Sequence, residues 1–384
     1  MDIYKKDKVM NKFNKLNLKG NPFRVTPAIN SKDIIWAGFP DLKKHIEDSI
    51  KRSINIPNTS LVLNWGDYGS GKTHALRYFG SQYVLAQLSG ESSIPYYVDL
   101  RFPKSKEPVK ELFFQVIDKL DLAKVRKDIE KCDFKVPEIL PQITDNIFMQ
   151  KVFTVMFGED QDLFKLDVEG LEFKSFLYGT LDYKKYIPKG IIRKFASDND
   201  YIEFLAVLFS ILTYEKKAYS CVILWIDEFE DIQLLNSINI SNVNNFVRTL
   251  IDKCSDNLLI FLNLTLSAMM SLSDLGEYLQ EAVRSRIIDR IKFQVPNPLE
   301  LKKYLEDLLN AETYRLQEIT EGGNKFTPFT SDVIDTIIEK LGDASLRKYN
   351  EVFSMLIETA VYYAVEQIDS EYFEKVKDEI MIWE

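Results

Sequence analysis

The chain contains the stretch Gly66-Asp67-Tyr68-Gly69-Ser70-Gly71-Lys72-Thr73, which has the form G-x-x-x-x-G-K-T. The apolar run from Ser60 to Trp65 precedes it and suits a buried parallel strand. The residues that follow, His74 to Phe79, can continue as a helix. A glycine-rich turn between a strand and a helix is the context in which this motif cradles phosphate groups. The stretch therefore predicts a nucleotide-binding loop.

The residue types in this loop fit that chemistry. Glycines allow the backbone N–H groups to turn toward phosphate oxygens. Lys72 would place a positive charge on the β- and γ-phosphates, and the Thr73 hydroxyl would bind Mg²⁺. We treat all residues of the loop and the adjacent His74 as candidate nucleotide-binding residues. A glycine-rich turn before an ordinary helix is the alternative, and the flanking elements disfavour it.

A second apolar run, Cys221 to Ile226, ends in Asp227 and Glu228. Such a run predicts a buried strand whose acidic end lies at the carboxyl edge of a parallel sheet, where ligands bind in α/β folds. Asp227 would hold Mg²⁺, directly or through water, and Glu228 would polarise an attacking water as a general base. A strand that ends in ordinary acidic turn residues is the alternative.

The run Leu258 to Thr265 predicts another buried strand, and it contains the polar residues Asn263 and Thr265. Buried polar side chains need hydrogen-bond partners. One of the two would reach the γ-phosphate or the attacking water, and the other reading is a side chain satisfied by neighbouring backbone. We favour Thr265 because it lies nearer the carboxyl end of the strand.

The remaining strands are predicted at Tyr96 to Phe102 and at Arg290 to Val295. A strand–helix–strand crossover needs only about a dozen residues, so the interval before Cys221 predicts an insertion at about 104–200, with helices near 108–122 and 145–157. We expect a basic N-terminal arm at 1–24, an α/β nucleotide-binding domain at 25–297 and a helical lid domain at 298–384. The basic residues of the arm are Lys5, Lys6, Lys8, Lys12, Lys15, Lys19 and Arg24.

Composition narrows the classes of protein that fit. The chain has 384 residues, a formal net charge of −9 and a pI near 5.1, which argues against general coating of nucleic acid. Contact with DNA would therefore be local, through the Lys5–Lys19 arm or a pore formed on assembly. Three scattered cysteines, no apolar signal-peptide core and no long apolar run predict a cytoplasmic protein without a membrane span.

Taken together, these motifs resemble the AAA+ class of P-loop ATPases over about residues 21–366. They are most similar to its initiator-type branch, the origin-recognition and cell-division-control ATPases. The matching features follow in order: Asn21-Pro22-Phe23, the Ile34–Gly38 piece, the P-loop, Asp227-Glu228 and a helical lid with Arg347. The stretches GDYGSGKT and IDEFEDI also resemble ATP-binding proteins of BREX-like phage-exclusion systems.

The resemblance implies an α/β fold with a five-stranded parallel sheet in the order 5-1-4-3-2, sandwiched by helices and followed by the lid. It implies ATP and Mg²⁺ as cofactors. Thr265 (or Asn263) matches the sensor-1 position, and Arg347 matches the sensor-2 position. Arg286, with Arg284 as the alternative, matches an arginine finger that acts on a neighbouring subunit, so a homo-oligomer is expected.

The chain also departs from the initiator pattern. Gly38-Phe39-Pro40-Asp41 replaces the Gly-Arg-Glu usual near the adenine, and too few residues are expected after the lid for a winged-helix domain. We therefore expect an ATP-hydrolysing switch that remodels or recruits a protein partner on DNA, in phage defence or mobile-element biology. A nucleotide-dependent scaffold that binds its partner through the insertion is the alternative. A small-molecule kinase is a third and weaker hypothesis.

Overall fold

The computed structural model describes residues 12–24, 34–158, 171–254, 256–266 and 274–381. The chain divides into two compact units. The described residues of 46–65 and 82–291 form the first, which we call the sheet unit. The second, which we call the helical unit, contains the described residues before 46, those from 66 to 81 and the described residues after 291. The domain boundaries given above remain a prediction.

Five strands form one parallel sheet in the order β2-β3-β4-β1-β5. Their bounds are Thr59–Asp67 (β1), Tyr96–Arg101 (β2), Val222–Asp227 (β3), Leu258–Leu266 (β4) and Ile287–Phe293 (β5). This order is the 5-1-4-3-2 order that the resemblance to AAA+ ATPases implied, so the predicted fold class, a five-stranded parallel sheet flanked by helices, is confirmed.

The central strands are buried on both faces, which explains why their sequences are continuous apolar runs. In β3, Leu224 is aligned with Val98 of β2 and with Ile260 of β4. The fifth strand is different, because it lies at the edge of the sheet and Ile288 is 54% exposed. The sequence prediction started this strand at Arg290, whereas it begins at Ile287. Alternation of buried and exposed residues at the edge hid its first residues.

Helices account for most of the other described residues. In chain order they are Pro40–Asn55 (α1), Lys72–Phe79 (α2), Gln82–Ser89 (α3), Pro108–Lys119 (α4), Leu122–Glu130 (α5), Val136–Ile143 (α6), Ile147–Phe157 (α7), Leu171–Leu177 (α8), Asp198–Leu212 (α9), Ser237–Lys253 (α10), Leu275–Tyr278 (α11), Glu281–Arg284 (α12), Pro298–Asn310 (α13), Ser331–Leu341 (α14), Leu346–Tyr362 (α15) and Ser370–Ile380 (α16). Helices α2 and α13–α16 belong to the helical unit.

The long crossover between β2 and β3 is part of the core of the sheet unit. Its helices α4, α7 and α9 meet in an aromatic cluster, in which Phe204 lies 5.5 Å from Phe113 and 4.7 Å from Phe153 between ring centroids. These rings and the inward-facing residues of the strands form one buried cluster. The crossover therefore stabilises the sheet in addition to connecting two of its strands.

The helical unit has its own core, and residues 12–24 take part in it. Leu16, Leu18 and Phe23 are buried there. Leu18 forms an antiparallel bridge with Arg315, and the ring of Phe23 stacks on Phe353 at 5.2 Å. The described part of the predicted basic arm is thus held against the helices that follow β5. The rest of the arm, including Lys5, Lys6 and Lys8, lies outside the described residues.

The three cysteines are free thiols. Cys221 and Cys254 are buried, and burial raises the pKa of both thiols to about 12, so they behave as small apolar side chains. Within the described ranges, the helices are all too short or too polar to cross a bilayer.

We expect Phe23→Ala to lower the free energy of unfolding of the helical unit by about 3–5 kcal/mol, because a buried ring leaves a cavity when it is removed. Denaturant titration of the full chain would measure the loss. Lys15→Ala, at an exposed position in the same segment, is the matched control and should change stability by less than about 0.5 kcal/mol. Equal stability of the two variants would show that the segment is not docked.

Candidate functional site

The predicted phosphate loop connects β1 to α2. Its first glycine, Gly66, is required because the backbone of Phe293 lies very close to it. A Cβ atom on Gly66 would lie 2.3 Å from the carbonyl oxygen of Phe293, and every residue other than glycine would have this steric clash. Gly69 and Gly71 have φ angles of +79° and +98°, a conformation that side chains other than hydrogen disfavour. The glycines are therefore required by the shape of the loop.

Lys72 lies inside this loop and is only 6% exposed. Its Nζ donates hydrogen bonds to the carbonyl oxygens of Gly66 (2.8 Å) and Asp67 (2.9 Å) and to Ser70 Oγ (3.2 Å). Gly71 is the N-cap of α2 and supplies no side-chain acceptor to its first N–H groups. An ammonium group and an uncapped helix N-terminus in one loop are donors that fit phosphate oxygens. Thr73 lies in the first turn of the same helix.

Arg347, at the start of α15, contacts the phosphate loop directly. Its backbone N–H donates to the carbonyl oxygen of Gly69 (3.3 Å). Its guanidinium carbon lies 5.1 Å from the centroid of the Tyr68 ring, and its Nη1 donates to the Tyr68 hydroxyl. In the described contacts, the side-chain partner of Arg347 is therefore the phenol of Tyr68. The loop and the sensor-2 candidate are therefore neighbours within one unit.

His74 holds α2 against the Ile34–Gly38 piece. Its Nε2 lies 2.8 Å from the carbonyl oxygen of Ile35, and a carbonyl can only accept, so Nε2 carries the hydrogen. Burial lowers the pKa of His74 below its ordinary value of 6.5, which keeps the imidazole neutral. The neighbouring Trp36 donates from Nε1 to the carbonyl oxygen of Gly38 (2.8 Å). Among the described contacts, His74 thus binds protein backbone.

The two predicted acidic residues lie at the end of β3 in the sheet unit, and they have different partners. Glu228 has a left-handed φ of +57°, which ends the strand abruptly. Asp227 Oδ1 accepts a hydrogen bond from Asn263 Nδ2 (2.9 Å). Glu228 accepts two bonds from Arg101, with Nε at 2.6 Å and Nη2 at 3.0 Å. The carboxylates are therefore held apart by neighbouring strands.

Arg101 is a site residue that the sequence analysis missed. It ends β2, and the register aligns it with Asp227. The hydrogen bonds to Glu228 raise the pKa of the guanidinium. The side chains of Arg101 and Glu228 are 68% and 37% exposed, so this pair is at the surface. The signal available in the sequence was an arginine at the carboxyl end of the strand that precedes the acidic one.

The two sensor-1 candidates differ in what they contact. Asn263 is fully buried, and its side chain binds Asp227. Thr265 uses its backbone N–H to bind Glu230 Oε2 at 2.9 Å. The sequence analysis favoured Thr265, yet Asn263 is the candidate whose described side-chain contact reaches a predicted site residue. Asn263 is therefore the stronger sensor-1 candidate.

Both arginine-finger candidates form ion pairs within the sheet unit: Arg284 is the last residue of α12, and Arg286 lies between α12 and β5. Arg286 binds Asp252 Oδ1 through Nε (3.0 Å) and Nη2 (2.7 Å). Arg284 binds Glu281 at 2.6 Å. Their side chains are 32% and 40% exposed, which leaves both accessible to a neighbouring molecule.

The predicted Mg²⁺ ligands are oxygen donors, which is the ligand type that Mg²⁺ prefers. Within the described ranges, no group of three or more His, Cys, Asp or Glu side chains could hold a metal ion. Magnesium in nucleotide sites commonly uses one or two protein oxygens together with phosphates and water. Asp227, in the sheet unit, carries a carboxylate of that kind, and the Thr73 hydroxyl, in the helical unit, stays a predicted ligand.

No protein-family model matches the chain, and no curated protein sequence matches it. Among solved structures, the chain is similar to the Aeropyrum pernix ORC1 protein in complex with DNA, with 13% identity, 90% of this chain and 66% of that chain covered, and a TM-score of 0.47. The chain is also similar to the Walker-type ATPase paby2304 of Pyrococcus abyssi, with 14% identity, 94% of this chain and 77% of that chain covered, and a TM-score of 0.45. Its similarity to the HORMA:CdnC:Trip13 complex of E. coli MS115-1 has 12% identity, 90% of this chain and 94% of that chain covered, and a TM-score of 0.40.

The strand order, the P-loop after β1 and the helices that follow β5 agree with the layout that the resemblance to AAA+ ATPases implied.

Proposed function

We propose that the chain binds Mg²⁺-ATP and hydrolyses it to switch the assembly or remodelling of a partner. The observation that carries this proposal is the phosphate loop, in which left-handed glycines, the buried Lys72 and the neighbouring Arg347 present donors to an anion. The acidic end of β3 supplies the second requirement, a carboxylate for the metal and one for the attacking water.

Each residue has a separate role in this proposal. Lys72 and the loop N–H groups would bind the β- and γ-phosphates, and Thr73 and Asp227 would bind Mg²⁺, which draws negative charge from the phosphates. Glu228 would orient a water and accept its proton as the oxygen attacks the γ-phosphorus. Asn263 would fix Asp227, and Arg347 would stabilise charge on the γ-phosphate. His74 would support the loop through Ile35.

The proposed setting is an oligomer that acts on a protein partner and on DNA, in phage defence or mobile-element biology, inside the cytoplasm. Arg286 would reach ATP held by the neighbouring subunit, with Arg284 as the alternative. The sequence motifs shared with initiator-type and BREX-like proteins support this setting. The lysines of the N-terminal arm or a pore of the oligomer would contact DNA.

We expect Glu228→Gln to lower steady-state ATP turnover by at least about 100-fold, because an amide cannot accept the proton of the attacking water. Nucleotide affinity should be retained, since the phosphate loop is unchanged. Glu277→Gln, at an exposed acid in α11, is the matched control. Phosphate release measured on purified protein would test the claim, and equal turnover of Glu228→Gln and wild type would refute hydrolysis by this residue.

We expect turnover to rise steeply with protein concentration and Arg286→Ala to lower it by about 1,000-fold, as an arginine finger does. Mixing Arg286→Ala subunits with Glu228→Gln subunits should restore part of the activity, because each supplies the group that the other lacks. Arg290→Ala, an exposed arginine on β5, is the control, and Arg284→Ala tests the alternative finger. Concentration-independent turnover without recovery on mixing would exclude catalysis across subunits.

The ion pair between Arg101 and Glu228 favours a second function, a nucleotide-dependent scaffold that hydrolyses ATP slowly. A carboxylate bound by two guanidinium N–H groups is a poor base for water. However, an ion pair this exposed contributes at most about 1 kcal/mol. Opening it would cost at most about fivefold in rate, so the pair moderates hydrolysis without preventing it.

Arg101→Met distinguishes the two functions, because it removes the charge and keeps most of the side-chain volume. We expect basal turnover to rise up to about fivefold, with the rise absent when Glu228→Gln is also present. Lys104→Met, which removes the ion pair between the exposed Lys104 and the partly buried Asp231 at 2.9 Å, is the control. Turnover that stays negligible in Arg101→Met, with tight ATP binding, would support the scaffold.

A further inference from the structure

Behind Asp227, three fully buried side chains from three strands form one hydrogen-bonded network. Asn263 on β4 is at its centre. Its Oδ1 accepts from Asn64 Nδ2 on β1 (3.0 Å) and from Trp225 Nε1 on β3 (2.8 Å). Its Nδ2 donates to Asp227 Oδ1 (2.9 Å). All of these residues lie within the sheet unit.

Trp225 fixes which way the Asn263 amide faces. An indole N–H can only donate, so the Asn263 atom beside it must be the oxygen. The amide nitrogen is then directed at Asp227, whose carboxylate can only accept when ionised. The indole is itself held in place, because its ring stacks on Phe261 with centroids 4.2 Å apart. The orientation of the Asn263 amide therefore follows from its chemistry.

The Asn64 amide is a second donor to Asn263 Oδ1, but its own Oδ1 accepts no hydrogen bond from these neighbours. Among the described residues, Asn64 Oδ1 has no hydrogen-bond partner although it is completely buried. A buried carbonyl without a partner destabilises a fold, and a leucine of similar volume would avoid that cost. If the Asn64 amide turned over, its oxygen would face Asn263 Oδ1, and two acceptors would repel. Stability of the core therefore does not explain why position 64 is an asparagine. The described side-chain partner of Asn64 is Asn263, which in turn binds Asp227.

We propose that Asn64 is a positioning residue for Asp227. With Trp225 it holds the Asn263 amide, and the Asn263 amide fixes the rotation of the Asp227 carboxylate. A carboxylate fixed in this way presents its oxygens to Mg²⁺ in one orientation, whereas a loosely held one must be ordered when the metal binds. The inference rests on the Mg²⁺-ATP site proposed above, and it adds β1, the strand that leads into the phosphate loop, to the elements that set the geometry of the metal ligand.

The test is the effect of Mg²⁺ on ADP binding, measured by calorimetry on the full chain with MgCl₂ and with EDTA. In Asn64→Leu, we expect the Mg²⁺-dependent gain in ADP affinity to fall about tenfold to a hundredfold, the usual effect of losing a group that orients a metal ligand. Affinity in EDTA should be unchanged. Thermal stability should be equal to or higher than that of wild type, because the unpartnered carbonyl is gone.

Asn244→Leu is the matched control, since Asn244 is equally buried and its amide binds the backbone of Ile240, Tyr278 and Gln280. It should lower stability and leave the Mg²⁺-dependent gain unchanged. A wild-type Mg²⁺ gain in stable, folded Asn64→Leu would overturn the inference and leave the proposed function intact. No Mg²⁺ effect on ADP binding in the wild type would overturn both.

A spectroscopic measurement on the wild type covers the case in which Asn64→Leu does not fold. The indole ¹⁵N–H resonance of Trp225, assigned by its absence in Trp225→Phe, reports on the hydrogen bond to Asn263. We expect it to shift when MgCl₂ is added to the ADP-bound protein, because the metal acts on Asp227 and through it on the network. An unchanged Trp225 resonance at saturating Mg²⁺ would overturn the inference.

Discussion

A carboxylate at the end of a fully buried strand must have partners, and the arrangement of this site depends on how β3 meets that requirement. Its apolar residues leave Asp227 and Glu228 adjacent at the edge of the sheet. Two neighbouring acids would repel if they faced the same space. The left-handed φ of Glu228 turns the chain at that point, so Asp227 binds the strand on one side, through Asn263, and Glu228 binds the strand on the other, through Arg101. The order β2-β3-β4 is thus what separates the two predicted roles.

Part of this architecture could be predicted from the sequence and part could not. The buried strands were evident because double-sided burial produces continuous apolar runs, and the loop was evident because its glycines are fixed by backbone geometry. Arg101 and Asn64 were missed because their roles depend on pairing across strands far apart in sequence. Asn64 did carry a local signal, a polar residue within the run SLVLNW, of the kind that singled out Asn263. Its partner could not be named before the order β3-β4-β1 was known.

In the crossover between β2 and β3, the sequence predicted only some of the helices that the structure contains. Helix α9 gave no clear periodic signal, since residues on nearly all of its sides are buried. Its N-terminus is nevertheless strongly marked, by a capping box between Ser197 and Asp200 and by the bidentate pair between Asp200 and Arg193. A buried helix is therefore easier to recognise from its cap than from its faces. Because α9 joins the aromatic cluster beside the sheet, a partner surface on the crossover would be coupled to the core of the sheet unit.

The candidate phosphate-binding cations Lys72, Arg286 and Arg347 differ in the partners that a phosphate would replace. These partners determine how much each cation would contribute to ATP binding. Arg347 is held by a neutral ring and hydroxyl, and a phosphate oxygen is a stronger acceptor than either. Arg286 is held by Asp252, an exposed pair worth at most about 1 kcal/mol. Lys72 already lies within the loop among backbone oxygens. Exchange of neutral partners for phosphate would strengthen the interactions of Lys72 and Arg347 within one unit, whereas Arg286 would exchange one anion for another and gain less. Binding of ATP would therefore be set by the loop and α15, and the contribution of Arg286 would depend on a neighbouring subunit bringing the phosphate to it.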